Sequence, residues 1–200
     1  MSAAPAPPIL LASISPQRRA ILRQLHIPFD AVAPRFDEPP ANRAKGSDPL
    51  TVVTEYARAK ARSVSDQAGD RPVLGVDTEV VVDREILGKP ADAGEAEAMI
   101  ERLAGRTHEV VSGLCLLTPG WEELHHEATR VTFRALTARD LAHYVASGEW
   151  EERAGGYAIQ GLGASLVERI EGDYLNVVGL PASLLVRLLA DRFAGIYGFG

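Results

Sequence analysis

Short apolar segments alternate along this chain with residues that start helices, and this alternation restricts the fold more than any other feature. Ile9–Ala12 predicts a buried strand, and Ser15-Pro16 then supplies an N-cap and a proline suited to the first helical turn. Asp48-Pro49 repeats that signal ahead of a helix that runs to about Val64. Strands and helices mixed in this way predict an α/β or α+β fold built on a mixed sheet.

The same signals recur downstream, where Asp92 and Thr137 are predicted N-caps and Gly148 closes a helix. Residues 73–82 are strongly β-prone but are interrupted by one glycine and two acidic residues. Residues 1–8 and 194–200 are predicted as loose ends, which leaves 9–193 as a single domain. The predicted strands after the first are 29–33, 73–82, 110–117, 128–133 and 165–170, and the predicted helices are 16–25, 49–64, 92–105, 137–148 and 184–193.

The composition is that of an ordinary folded protein, with 46% apolar and 24% charged residues among 200. The net charge of −6 disfavours a nucleic-acid polymer as partner, because backbone phosphates select basic proteins. No apolar run reaches the roughly 18 residues that span a bilayer, so no membrane partner is expected. Cys115 is the only cysteine, which excludes an intrachain disulfide and favours a reducing, cytoplasmic location.

Ser13, Ser15 and Arg18 lie where the first strand runs into the first helix. Free amides and the helix dipole make such a junction suitable for an anion, and two hydroxyls and a guanidinium would add donors. The alternative is an ordinary capped helix start with solvated arginines.

Three further segments are candidates for chemistry. Asp77 stands inside an apolar strand, which is costly unless the carboxylate is paired or binds a metal; the alternative is an edge strand with a wet face. Lys89 sits in a Gly-Lys-Pro turn, and its alternative is a solvated loop lysine. The dense glycines of 155–161 suggest a close approach of the backbone to another group, or only a glycine-rich connection. Cys115 and His108 are predicted to be structural.

Taken together, these segments resemble the Maf family of nucleoside triphosphate pyrophosphatases. Nine matches run in family order over nearly the whole chain, from Ile9 to about Leu189. They are LLASISPQRRAIL, FDE, EYARAKA, VLGVDTEVVVD, ILGKPADAGEA, LAGRTHEVVSG, YVASGEW, RAGGYAIQGLG and IEGDYLNVVGLP.

The resemblance implies a mixed α/β sheet with flanking helices, in which two lobes enclose a deep nucleotide-binding cleft, as in inosine triphosphatase-like proteins. It implies hydrolysis of a nucleoside triphosphate to the monophosphate and pyrophosphate, with Mg²⁺ or Mn²⁺ as cofactor, and a homodimer. The alternative is a nucleotide-sensing regulator of septum formation that acts through a protein partner.

The resemblance also assigns roles to individual residues. The catalytic and metal-binding carboxylates fall on Asp77 and Glu38. The phosphate-binding residues fall on Ser13, Ser15, Arg18, Lys60 and Lys89.

Three positions separate the substrate branches of the family and fall on Gln17, Thr78 and Gln160. The dTTP/UTP branch has Arg, Thr and Gln there, whereas the 7-methyl-GTP branch has an aromatic residue, Gln and Glu. Thr78 and Gln160 match the pyrimidine branch, and Gln17 matches neither. Because 7-methylguanine is cationic, its site should offer an aromatic face or a carboxylate. The sequence therefore predicts dTTP and UTP as substrates, with modified uridine triphosphates as an extension.

Overall fold

The computed structural model describes residues 6–37, 39 and 46–200. Within these residues seven strands form one mixed sheet, in the order β2-β1-β3-β5-β6-β7, with β4 paired to the end of β3. β1 runs parallel to β2 and β3, and the other pairings are antiparallel. The strands are β1 (Ile9–Ala12), β2 (Phe29–Val32), β3 (Val73–Val82), β4 (Glu85–Ile86), β5 (Thr107–Leu117), β6 (Glu122–Phe133) and β7 (Val167–Glu171).

Four of the α-helices of the described residues begin at the N-caps that the sequence predicts. The Ser15, Asp48, Asp92 and Thr137 side chains each accept a hydrogen bond from a backbone amide of the helix they precede. The helices are α1 (Pro16–Gln24), α2 (Pro49–Ser63), α3 (Ala93–Leu103), α4 (Ala138–Ala146), α5 (Tyr174–Val178) and α6 (Ala182–Phe193). Short 3₁₀ turns occupy Ser65–Gln67, Ala154–Gly156 and Gly161–Leu166.

Several boundaries differ from the sequence-based prediction. β5 and β6 start earlier than predicted, and the predicted strand at 165–170 begins only at Val167. α5 was not predicted; it is a five-residue helix whose N-cap, Asp173, accepts from the Leu175 amide. The predicted interruption of 73–82 is wrong, because β3 is continuous and pairs with β5 from Val73 to Val81.

The two faces of β3 are covered differently. Leu74 and Val76 belong to one apolar core with α1 and α6, and Val80 and Val82 belong to a second core with α3 and α4. The odd-numbered residues point to the other face, as strand alternation requires, and that face is covered by α2. Two apolar cores thus lie side by side on one face of the sheet, and the mixed sheet with flanking helices is the fold that the resemblance implied.

Two glycines allow α2 to lie directly on the sheet. A Cβ atom on Gly75 would stand 2.1 Å from the Ala57 carbonyl oxygen, and one on Gly113 would stand 2.1 Å from that of Val53. Real Cβ atoms do not approach backbone so closely, so this distance between helix and sheet requires glycine at both positions. The close approach of α2 to the sheet places Lys60 of α2 within ion-pair distance of Asp77 of β3.

The cleft opens where β3 loses one of its neighbours. β1 pairs with β3 only at Val73 and Leu74, and β4 pairs with it only from Val81. Between these points, on the side away from β5, no strand of the described residues covers β3. The middle of β3 is therefore an open edge, but the predicted alternative of a wet face is wrong, because Asp77 is buried and paired there.

The C-terminal residues do not form the loose tail that the sequence predicts. Tyr197 is buried in the first core, and its hydroxyl donates to the Pro7 carbonyl at 2.9 Å. The C-terminal segment therefore packs against residue 7 near the other end of the chain. Within the described ranges, no helix is both long and apolar enough to cross a membrane.

Candidate functional site

A cavity of about 790 Å³ fills the gap beside β3, a volume within the range of small-molecule sites. It is lined by the start of α1, by α2, β3 and the loop after β4, and by the glycine loop, residues 155–161. Eight of the predicted site residues line it: Ser15, Gln17, Arg18, Lys60, Asp77, Thr78, Lys89 and Gln160. Glu38, the remaining predicted carboxylate, lies outside the described residues.

The floor of the cleft is an ion pair between Lys60 and Asp77, named here the floor pair. Lys60 Nζ lies 2.6 Å from Asp77 Oδ1, and both side chains are buried. A buried carboxylate is tolerated when it is paired, which explains an acidic residue in the middle of an apolar strand. The structure thus brings the predicted catalytic Asp to one of the predicted lysines.

Arg18 links three parts of the chain behind the floor. Its guanidinium donates to the Gly179 carbonyl at 2.9 Å, to Ser13 Oγ at 3.3 Å and to Thr78 Oγ1 at 3.2 Å. Ser13 is buried and holds Arg18 rather than lining the cavity itself. The alternative of a solvated arginine does not hold for Arg18, which is half-buried and bonded within the protein.

Thr78 is held by its neighbour across the sheet. Ser112 of β5 stands opposite Thr78 in register, and the two hydroxyl oxygens are 2.8 Å apart. Ser112 is fully buried and was not predicted from the sequence. Only the antiparallel pairing of β3 with β5 identifies it, because the two residues are 34 positions apart.

The outer edge of the cleft carries a second ion pair, named here the rim pair. Lys89 Nζ lies 2.9 Å from Glu152 Oε2, and both side chains are exposed. Beneath it the Gly155 amide donates to the Gly88 carbonyl at 2.6 Å, which ties the Lys89 turn to the glycine loop. Gly155 has φ +68 and its Cβ position lies 2.8 Å from Val80, so the close approach predicted for these glycines is to the protein's own strand.

Under the glycine loop lies a buried, uncharged pair. His108 Nε2 and the Tyr157 hydroxyl are 2.8 Å apart. Burial lowers the pKa of His108 to about 4 and raises the pKa of Tyr157. His108 is therefore neutral at pH 7 and structural, as predicted. Cys115 is equally structural, because burial raises the pKa of its thiol to about 12.

Sequence reasoning missed several charged residues of the cleft. Glu79, Glu95, Glu149, Glu152 and Arg153 all line it. Four of them lie inside the matched segments, whereas Glu152 lies between two of these segments. Strand alternation would have placed only Glu79 near the site, because it shares a face of the strand with Asp77. Among the described lining residues there are four cations and five carboxylates: Arg18, Lys60, Lys89 and Arg153, with Asp77, Glu79, Glu95, Glu149 and Glu152.

This charge balance bears on whether the cleft suits a divalent metal. The described residues contain no cluster of three or more His, Cys, Asp or Glu that could hold an ion unaided. Mg²⁺, however, is commonly bound by one or two carboxylates together with substrate phosphates and water. Asp77 and Glu79 supply two carboxylates from one strand face beside the cavity, so the donor set fits such an ion.

Comparison with known proteins gives consistent matches along the chain. A dTTP/UTP pyrophosphatase of Deinococcus radiodurans is 42% identical over 100% of both chains. One of Nitratidesulfovibrio vulgaris is 48% identical over 94% of this chain and 89% of the relative. A crystal structure of a nucleoside-triphosphatase, dITP/XTP pyrophosphatase, from Mycobacterium abscessus aligns over 94% of this chain and 95% of that one, with 16% identity and a TM-score of 0.46.

The family model described as Maf-like protein matches residues 8–192. That span contains every strand of the described sheet, every α-helix except the last residue of α6, and all the predicted site residues. The chain belongs to the Maf-like protein family.

Proposed function

We propose that this protein hydrolyses a nucleoside triphosphate to the monophosphate and pyrophosphate, with dTTP and UTP as preferred substrates. The observation that carries the proposal is the identity of 42–48% to relatives named dTTP/UTP pyrophosphatase, over at least 89% of each chain. The cleft supports it, because four cationic side chains of the described residues and a buried carboxylate line one cavity.

The floor pair is suited to activating water. Lys60, at 2.6 Å, stabilises the negative charge of Asp77, and the ionised carboxylate is the form that can accept a proton. Asp77 would take the proton of the water that attacks the α-phosphorus, and pyrophosphate would leave. Arg18 and Lys89 would meet the phosphate oxygens, and Ser13 and Ser15 would hold Arg18 and the helix start in place.

A divalent cation completes the electrostatics of this proposal. A triphosphate carries roughly four negative charges, which local positive charge must balance. The described lining residues hold four cations against five carboxylates, so the side chains alone do not supply that charge. Asp77 and Glu79 would hold the ion, with Glu38 as the additional ligand that the family resemblance implies. Mg²⁺ or Mn²⁺ would supply positive charge at the phosphate oxygens.

Base preference rests on Thr78 and Gln160, which match the pyrimidine branch. The Gln160 amide has both a donor and an acceptor and can match N3–H and a carbonyl of uracil or thymine. Gln17 departs from the branch, and its Oε1 accepts a hydrogen bond from the Ser15 hydroxyl at 3.1 Å. A homodimer and a cytoplasmic location stay predictions, and no comparison supports the septum-regulator alternative.

The deciding experiment is a substrate panel with purified protein and Mg²⁺ or Mn²⁺. We expect pyrophosphate as product, and kcat/KM for dTTP and UTP about tenfold or more above that for 7-methyl-GTP, which corresponds to about 1.4 kcal/mol. Release of single phosphate would contradict the cleavage position. Best turnover of 7-methyl-GTP or a purine would contradict the base, and tight binding without turnover would favour a sensor.

A further inference from the structure

The Glu149 carboxylate makes two hydrogen bonds to the backbone beside Gln160. The Leu162 amide donates to Oε1 at 2.9 Å, and the Gly163 amide donates to Oε2 at 3.1 Å. Both amides lie in the first turn of the 3₁₀ segment Gly161–Leu166, where backbone donors lack partners within the helix. An ionised acceptor at this end makes stronger bonds than a neutral one.

The carboxylate is seated directly against Gly161. A Cβ atom at this position would stand 2.6 Å from Glu149 Oε1, and φ of Gly161 is +72, a conformation that favours glycine. The next glycine in the segment, Gly163, lies against the Ala158 carbonyl, where a Cβ atom would stand 1.8 Å from the oxygen. The chain on both sides of Gln160 is thus folded tightly onto itself and onto Glu149.

A second anchor holds the other side of Gln160. The hydroxyl of Tyr144, a buried residue of α4, accepts a hydrogen bond from the Ala158 amide at 3.1 Å. Glu149 follows the same helix by three residues. Tyr144 of α4 and Glu149 in the turn after it therefore bind the backbone amides two residues before and two residues after Gln160. The Gln160 side chain itself is exposed at the cleft.

We propose that Glu149 is a positioning residue for base selection: it fixes the main chain from which Gln160 reads the pyrimidine. The inference rests on the proposed function and deepens it. An amide can turn to match either uracil or cytosine, because it offers one donor side and one acceptor side. Discrimination between these bases then depends on holding the amide in one place, which requires a fixed backbone.

The test compares dTTP with dCTP, two substrates that share sugar, phosphates and ring size. Glu149→Gln keeps the shape of the side chain but replaces one acceptor oxygen with an NH₂ group that cannot accept from an amide. We expect the ratio of kcat/KM for dTTP over dCTP to fall about fivefold or more, chiefly through dTTP. The matched control, Glu171→Gln, changes an exposed carboxylate on β7 outside the cleft and should leave the ratio unchanged.

A purely structural role would lower kcat/KM for both nucleotides equally, and that result would overturn the inference. Tyr144→Phe, which removes only the second anchor's hydroxyl, should shift the ratio in the same direction and serves if Glu149→Gln does not fold. If the wild-type enzyme prefers dTTP and both variants keep its dTTP/dCTP ratio of kcat/KM, the role of Glu149 is refuted and the proposed function stands. If the wild-type protein hydrolyses no triphosphate, or does not prefer dTTP over dCTP, the proposed function is refuted instead.

Discussion

The floor pair and the rim pair of the cleft are chemically alike and physically different. Each joins a lysine to a carboxylate, at 2.6 Å for Lys60–Asp77 and at 2.9 Å for Lys89–Glu152. The floor side chains are 5% and 4% exposed, whereas those at the rim are 53% and 84% exposed. An exposed ion pair contributes little to the stability of the fold, because water competes for both charges. Removing one partner of a buried pair leaves the other charge without a partner in the interior, which costs much more.

The two pairs also arise from different parts of the fold. The floor pair depends on the close contact of α2 with the sheet that Gly75 and Gly113 permit. The rim pair depends on two surface turns, and Glu152 itself has φ +57. Burial therefore fixes the floor pair in one geometry, and exposure would allow Lys89 to leave Glu152 for a phosphate, as the proposed function requires.

The largest effect should come from the floor carboxylate. Asp77→Asn removes the proton acceptor, and we expect kcat for dTTP to fall by about 10²–10⁴-fold, the usual contribution of a general base. Pyrophosphate release by the folded variant is the measurement. Near-normal turnover would show that Asp77 does not act on the attacking water.

The next test compares how much each of the two lysines contributes to the free energy of unfolding. Lys60→Met should lower the free energy of unfolding by about 3–5 kcal/mol, because Asp77 loses its partner in the interior. Lys89→Met, the same substitution at the rim, should change it by less than about 1 kcal/mol. Urea unfolding of both variants measures the difference, and equal losses would mean that burial does not distinguish the pairs.

Acid should lower the stability of the protein through the uncharged pair of His108 and Tyr157. Because the pKa of His108 is about 4 in the folded state and 6.5 in the unfolded chain, the unfolded chain takes up the proton first as pH falls. Stability is therefore lost as pH falls through 6.5 towards 4, by about 2 kcal/mol between pH 7 and pH 5.

His108→Gln is the control for this pH dependence, since its amide does not titrate and can still bond to the Tyr157 hydroxyl. Unfolding free energies at pH 7 and pH 5 should differ by about 2 kcal/mol more in the wild type than in this variant. Parallel pH profiles would remove His108 as the titrating group.

The smallest effect should be catalytic and confined to the rim. Lys89→Met should lower kcat/KM for dTTP about tenfold, because one exposed charge-assisted contact to phosphate is lost. Arg169→Gln changes another exposed cation, on β7 and away from the cleft, and should leave kcat/KM within about twofold. A loss as large as that of Asp77→Asn would show that Lys89 acts on the reacting atoms.

The sequence predicted the local elements because their signals are local. Ser15-Pro16 and Asp48-Pro49 start helices where the structure has them, since a capping side chain and the following proline act within one turn. The family resemblance gathered Arg18, Lys60, Asp77 and Gln160 before any geometry was known, and the cleft contains all four. It could not supply their mutual distances.

What the sequence determined by itself was the order of most strands and helices, the family and the main predicted residues of the cleft, because these depend on local pattern. Only the tertiary structure decided that β3 is continuous yet uncovered in its middle, which is why Asp77 can be both in a strand and at a site. Only it paired Lys60 with Asp77, Ser112 with Thr78, and Glu149 with the amides beside Gln160. These contacts depend on strand register and on how closely a helix can approach a sheet, which are properties of packing between segments distant in sequence.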